Sequence, residues 1–182
     1  MKKLIAPVML AAALLLGGCV STPGIYSGTV STATYADPPS PALFVVLPPD
    51  PLSLTDRNIA ALIEAKLLQL GYVKAESEGS ANVAVMFNYG IGSGATTISS
   101  SPDYVMGGTN VSSSTSYPRQ FRVWILDVEK TMAQEGPFIT WQGEVFSSGS
   151  SANISNVAPV FVDVLMDNAS QDVTNKSFYK VR

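Results

Sequence analysis

The 182-residue chain has no histidine and a single cysteine, Cys19. Those two scarcities exclude much chemistry. A closed structural zinc site takes four Cys or His ligands, so none can be assembled and no metal is expected. A Ser-His-Asp or Cys-His catalytic group lacks its imidazole. Charge is scarce too: 14% of residues are charged and the formal net charge is -3, with a pI of about 4.8. No basic surface for a phosphate backbone follows, so no nucleic-acid partner is expected. No Gly-Lys-Ser/Thr sequence completes a P-loop, and no cofactor is expected. By contrast, 46% of residues are hydrophobic, enough to fill the core of one domain and to exclude wholesale disorder.

Hydrophobicity is concentrated first at the amino terminus. Met1-Lys2-Lys3 is a short basic start, residues 4–16 are apolar apart from Pro7, and Gly17-Gly18-Cys19 follows. This is the layout of a secretory signal over residues 1–18. As a helix, about 13 residues reach roughly 20 Å at ~1.5 Å each, short of a bilayer core of about 30 Å. Leu16-Gly17-Gly18-Cys19 resembles a lipobox, the processing site of bacterial lipoproteins. The resemblance implies cleavage before Cys19 and lipid attachment to its sulfur, with about 0.8 kcal/mol of anchoring per buried CH₂. Val20, where aspartate marks retention in the inner membrane, implies the outer membrane, facing the periplasm. Loss of Lys2 and Lys3 takes the 11 basic residues to 9 against 14 acidic, a net of -5.

The rest of the chain reads as a tether over 19–41, with Pro23, Pro38, Pro39 and Pro41, and one domain over 42–182. Within the tether, 25–35 alternates weakly and offers an edge strand. Residues 42–47 form an apolar run closed by Pro48-Pro49, a buried strand. Ser53 or Thr55 caps a helix whose Ile59, Leu62, Ile63, Leu67 and Leu70 share a face, and Gly71 stops it. Alternation predicts strands over 82–89, 119–128 and 138–146, the last two as a hairpin. Residues 90–118, rich in Ser, Thr and Gly, read as a long loop or a hairpin extension. Residues 130–136 read as a turn. Asn156 caps a second helix with Val157, Phe161, Val164 and Leu165 on one face and Pro159 in its first turn; residues 174–182 end as a short strand or fray. The order β-α-β-(loop)-β-β-α predicts an α+β fold: a two-layer α/β sandwich, mostly antiparallel, with two helices on one face.

Three stretches together resemble a family. They are Leu67-Leu68-Gln69-Leu70-Gly71-Tyr72, Ala81-Asn82-Val83-Ala84-Val85, and Val123-Trp124-Ile125-Leu126-Asp127 followed by Ile139-Thr140-Trp141-Gln142-Gly143. They are similar to the bacterial lipoprotein domain of unknown function numbered 4136, over roughly residues 42–172. The family often has Trp-Arg-Gly where this chain has Gln142, and Tyr and Trp where its loop has Ser. The resemblance implies fold and an envelope location, and no activity. A looser, fold-level analogy runs to periplasmic activator lipoproteins of penicillin-binding proteins and to the amino-terminal domain of the Tol translocation protein.

Candidate site residues are few. Asp127 and Glu144, on neighbouring strands, are a possible acid-base pair for a glycan hydrolase, which needs carboxylates about 5 to 9.5 Å apart; the plainer alternative is solvated charge or a cross-strand pair with Arg122. Glu76 and Glu78 read as solvated. Trp124 and Trp141 are the largest apolar groups; if their faces differ, one is core and the other an interaction anchor. The expected function is a non-enzymatic lipoprotein, membrane-bound through Cys19, that binds or assembles with an envelope protein. The alternatives are a small-ligand or glycan-binding lipoprotein and a cell-wall glycan hydrolase.

Overall fold

The computed structural model describes residues 24–103, 108–134 and 136–181. The expected signal over 1–18 and the lipid-attachment residue Cys19 lie outside the described residues. In chain order the elements are β1 (Ile25–Thr34), β2 (Leu43–Leu47), α1 (Leu54–Gln69), β3 (Val73–Lys74), a 3-10 turn (Glu78–Ser80), β4 (Val83–Ile91), β5 (Ala95–Asp103), β6 (Gly108–Asp127), α2 (Val128–Ala133), β7 (Ile139–Gly149), α3 (Ile154–Asp167) and β8 (Val173–Val181). Among the described residues, eight strands make one open sheet in the order β3-β2-β4-β6-β7-β1-β8, with β5 paired to β6. Strand β2 is parallel to β3 and β4, and the other pairs are antiparallel. Among the described residues the fold is α+β and strand-rich, with three helices rather than the expected two.

Helix α1 forms as its sequence predicts. The Ser53 hydroxyl accepts from the Asp56 amide at 3.2 Å, Ile59, Ile63 and Leu67 are buried, and Gly71 stops the helix at φ +89°, a conformation that costs glycine nothing. Leu70, expected on the buried face, is exposed. Helix α3 is capped by Asn153, not by the expected Asn156. It therefore starts earlier, and Pro159 falls in its second turn. The hydrogen bond lost there is to the carbonyl of Ser155, an exposed residue open to water.

Helices α1 and α3 pack on each other; α3 also meets β1, β4 and β7, and α1 meets β2 and β3. Between them lies the core: Val83, Val85 and Phe87 of β4, Phe121, Val123 and Ile125 of β6, Val145 of β7, and Phe161 and Leu165 of α3.

The expected tether over 19–41 is corrected by β1. Residues 25–34 are an interior strand, hydrogen-bonded to β7 on one side and β8 on the other. Only Val30 and Thr32 of β1 are fully buried, so backbone pairing and not apolar periodicity places it. Residues 90–118, whose readings were a loop or a hairpin extension, carry paired strands: β4 runs to Ile91, and β5 pairs with the first half of β6. The expected turn at 130–136 includes most of α2, and the tail is strand β8.

Candidate functional site

The sheet's odd and even positions have different fates. In β6, Phe121, Val123 and Ile125 are buried, while Arg122 is exposed and Trp124 half-buried. Cross-strand register then assembles two rows on the side away from the core. Met86, Trp124, Gln142 and Ala33 lie side by side across β4, β6, β7 and β1, and Asn88, Arg122, Glu144 and Ser31 form the next row. Met86 is 45% exposed, and Phe146, one step beyond Glu144 on the same side, is 43% exposed.

A groove of about 370 Å³ opens over these rows, lined by Trp124, Arg122, Gln142, Glu144, Ser31 and Thr174 among others. Its charges are matched. A single Glu144 oxygen accepts from both Arg122 Nε and Gln120 Nε2, so the groove floor is polar and locally neutral. One wall is shaped by a bulge where β8 leaves register with β1 between Val30 and Thr32. Asn175 takes φ +49° there, a conformation asparagine tolerates better than most residues, and its amide donates to Ser31 Oγ at 2.9 Å.

The two tryptophans have different surroundings. Trp124 lies in the groove. Trp141 is 5% exposed, within the core. Its ring edge occupies the space over Gly143, where a Cβ would stand 2.5 Å from the indole Cη2. Its Nε1 has no hydrogen-bond partner among the described residues. Trp141 is thus covered, bordering only a cavity of about 200 Å³ beside Tyr72 and Ala169, while Trp124 borders the groove.

The two candidate carboxylates are not brought together. Glu144 is opposite Arg122, and Asp127 is five positions further along β6, about 16 Å at ~3.3 Å per residue. Asp127 is instead the cap of α2: it accepts from the Lys130 amide at 2.9 Å and pairs with Lys130 Nζ at 3.2 Å. Burial pushes its carboxyl up, but the Lys130 amide, ammonium and charge outweigh burial and hold it below the usual carboxylate range. Glu76 and Glu78 are exposed, as expected.

Three polar features were not foreseen. Buried Asp56 accepts from the Tyr89 hydroxyl at 2.6 Å and from the Asp50 amide at 3.0 Å, tying the start of α1 to β4. That hydrogen bond, with burial, pushes the Tyr89 phenol up to about 12. Arg119 is buried, and its guanidinium fills the space over Gly149; burial pulls it below its ordinary value. Ser177 and Lys180 stand in Ser-x-x-Lys spacing, but on an extended strand residues three apart face opposite sides, and Lys180 pairs with Asp167 at 2.9 Å. Among the described residues no group of three acidic or Cys side chains is placed to hold a metal.

No family model and no curated protein matches the chain. Among solved structures it is similar to a PDZ domain protein from Parabacteroides distasonis, with a TM-score of 0.52 and 13% identity. That likeness covers 94% of this chain and 42% of the other, so the chain spans less than half of that protein's length. A dodecameric PelC variant from Paraburkholderia phytofirmans is similar at a TM-score of 0.41 and 13% identity, over 78% of this chain and 94% of that one. At such identity the first likeness is one of fold alone.

Proposed function

We propose that the chain is a bacterial envelope lipoprotein, held by lipid at Cys19 in the outer membrane and facing the periplasm, whose domain is a non-enzymatic interaction or assembly module. In this reading the body is a two-layer α/β sandwich with α1 and α3 on one face, leaving the other for an envelope protein. The carrying observation is the uncovered double row in which Trp124 lies between Met86 and Gln142, beside the Arg122–Glu144 pair. A half-buried aromatic flanked by matched charges has the composition of an interface centre with a polar rim. The lipobox-like Leu16-Gly17-Gly18-Cys19 and the resemblance to the lipoprotein family numbered 4136 support the location.

Two measurements test the reading. The mature protein should incorporate labelled palmitate and lose it in Cys19→Ser; a palmitate-free wild type removes the anchor. A photo-crosslinking residue at position 124, in living cells, should give a discrete adduct with one envelope protein that the same residue at exposed Gln69 does not. Equal, diffuse labelling from both positions would overturn the interface.

The groove favours a second reading, a small-ligand or glycan-binding lipoprotein. A flat indole beside a paired guanidinium and carboxylate and an amide suits an uncharged polyhydroxyl ring, whose C–H face stacks while its hydroxyls bond. Titration with neutral cell-wall oligosaccharides should then shift Trp124 fluorescence, and Trp124→Ala should abolish the shift. No shift at saturating sugar leaves the protein-interface reading.

A further inference from the structure

We infer that the two-stranded arm formed by β5 and the first half of β6 lies against the lipid leaflet that carries the Cys19 anchor. The inference rests on lipid attachment at Cys19 and adds the direction in which the domain faces.

Three observations converge. The first is polarity of the strands. Gly28 of β1 is opposite Ser147 and Thr34 is opposite Trp141, while Tyr117 of β6 is opposite Gly149. The start of β1, the end of β7 and the root of the arm therefore share one end of the sheet. From that root the arm runs on for nine paired residues, Ala95 opposite Ser116 through to Asp103 opposite Gly108, about 30 Å at ~3.4 Å per residue. Strand β6 is unbroken through Tyr117, so the arm continues the line of the sheet.

The second is reach. Six residue steps separate Cys19 from Ile25, at most about 22 Å at ~3.6 Å each. Carrying the anchor to the opposite end of the sheet would require the length of β1 itself, ten residues or about 33 Å. The lipid is therefore held at the arm's end, by a connection shorter than the arm. With the strands upright on the membrane, the arm meets the leaflet before the connection is taut.

The third is chemistry. Apart from Asp103, the two arm strands have no charged residue, whereas the mature chain is acidic at a net of -5. Repulsion from an anionic leaflet thus falls on the body and spares the arm. One side of the ribbon presents Ile98 and Val111, 70% and 68% exposed, opposite Ser113 and Ser100, so the two apolar groups are diagonal neighbours. Its backbone is already paired along one edge of each strand. A lone two-stranded ribbon is marginal in water, and a leaflet surface offers cover to one apolar side and hydrogen-bonding headgroups to its serines and threonines.

The test uses the mature, lipidated protein in vesicles of phosphatidylethanolamine and phosphatidylglycerol. Cys19 is blocked by its thioether, so Ser113→Cys accepts an environment-sensitive fluorophore at one place; Ser170→Cys reports the far end of the sheet. The expected result is a blue shift and strong quenching by bilayer-embedded doxyl lipid at 113, neither at 170, and loss of most quenching at 113 in an Ile98→Ser/Val111→Ser background. A water-like spectrum at 113, in protein whose mass includes the acyl chains and which floats with the vesicles, overturns the arm contact and leaves the anchor standing. A blue shift without doxyl quenching also overturns it, in favour of arm-to-arm pairing between copies. A mass without acyl chains removes the anchor and the inference together.

Discussion

Strand β6 is two different objects joined at Tyr117. From Arg119 to Asp127 it lies between β4 and β7, with Phe121, Val123 and Ile125 under the helices. From Gly108 to Ser116 it has one partner, β5, and every side chain described as far as Ser114 is exposed. Both halves have a full ladder on at least one side, so hydrogen bonding does not distinguish them. Burial does. Each net hydrogen bond contributes only about 1 kcal/mol, whereas a buried Phe contributes about 1.5–3 kcal/mol through transfer alone. The body is held by apolar contacts across layers, and the arm by its ladder.

That contrast is open to direct attack. The largest effect belongs to Phe121→Ala, which should lower unfolding free energy by about 3–5 kcal/mol, while Val111→Ala on the same strand should change it by less than about 0.5 kcal/mol. Urea unfolding of both variants decides the matter, and similar losses would erase the distinction between the halves.

A second effect, about 2 kcal/mol, is expected for Asp56→Ala, which strands the Tyr89 hydroxyl and the Asp50 amide. It asks whether polar bonds hold the body's rim as well as its centre. The linked pH effect has a definite sign. The phenol of Tyr89 is raised to about 12 in the fold by its bond to Asp56, then by burial. Its contribution is present below the unfolded value near 10 and is lost as pH rises towards 12. Ultraviolet titration should show Tyr89 ionising late, alongside Tyr72, whose phenol burial also raises, and Asp56→Asn should bring only the Tyr89 share earlier.

Next comes Asp127→Ala, at about 1 kcal/mol for a lost helix cap. Because this carboxyl is held below its ordinary range in the fold, its contribution is present above the unfolded value near 3.9 and disappears as pH falls through the lower, folded one. The gap between wild type and variant should therefore close in acid. The smallest effect is expected in the arm. Removing the Ser99–Ser112 hydroxyl contact in Ser99→Ala/Ser112→Ala should leave the melting temperature of the folded body nearly unchanged. A drop of many degrees would mean that the arm contributes to the body's stability.

Legibility from sequence followed the same line as stability. Helix α1 was readable because Ile59, Ile63 and Leu67 repeat with the helical period and Ser53 and Gly71 mark its ends. The alternation in β4 and β6 set Trp124 on the side opposite Phe121, Val123 and Ile125 but left open which side the helices cover. The start of α3 was misread because Asn153 and Asn156 are equally good caps, and their choice depends on how much of the helix the sheet covers. Strand β1 was half legible: its weak alternation offered an edge strand over 25–35, but Ser, Thr and Gly dominate it, and ladders on both sides to segments more than a hundred residues away make it an interior one. The Trp124 groove needed register as well as pattern, since Gln142 and Glu144 reach it only through the pairing of β6 with β7.

The sequence alone determined composition and local period: a core of limited size, no histidine chemistry, an apolar amino-terminal run, and the helices and central strands that carry an apolar repeat. Tertiary structure alone decided which uniform Ser/Thr stretches became strands, that Trp141 was covered and Trp124 left half-open, and that the arm and the start of β1 share one end of the sheet. The physical reason is range. Periodicity and capping act over a few neighbouring residues, while strand pairing joins residues whose separation along the chain leaves no local trace.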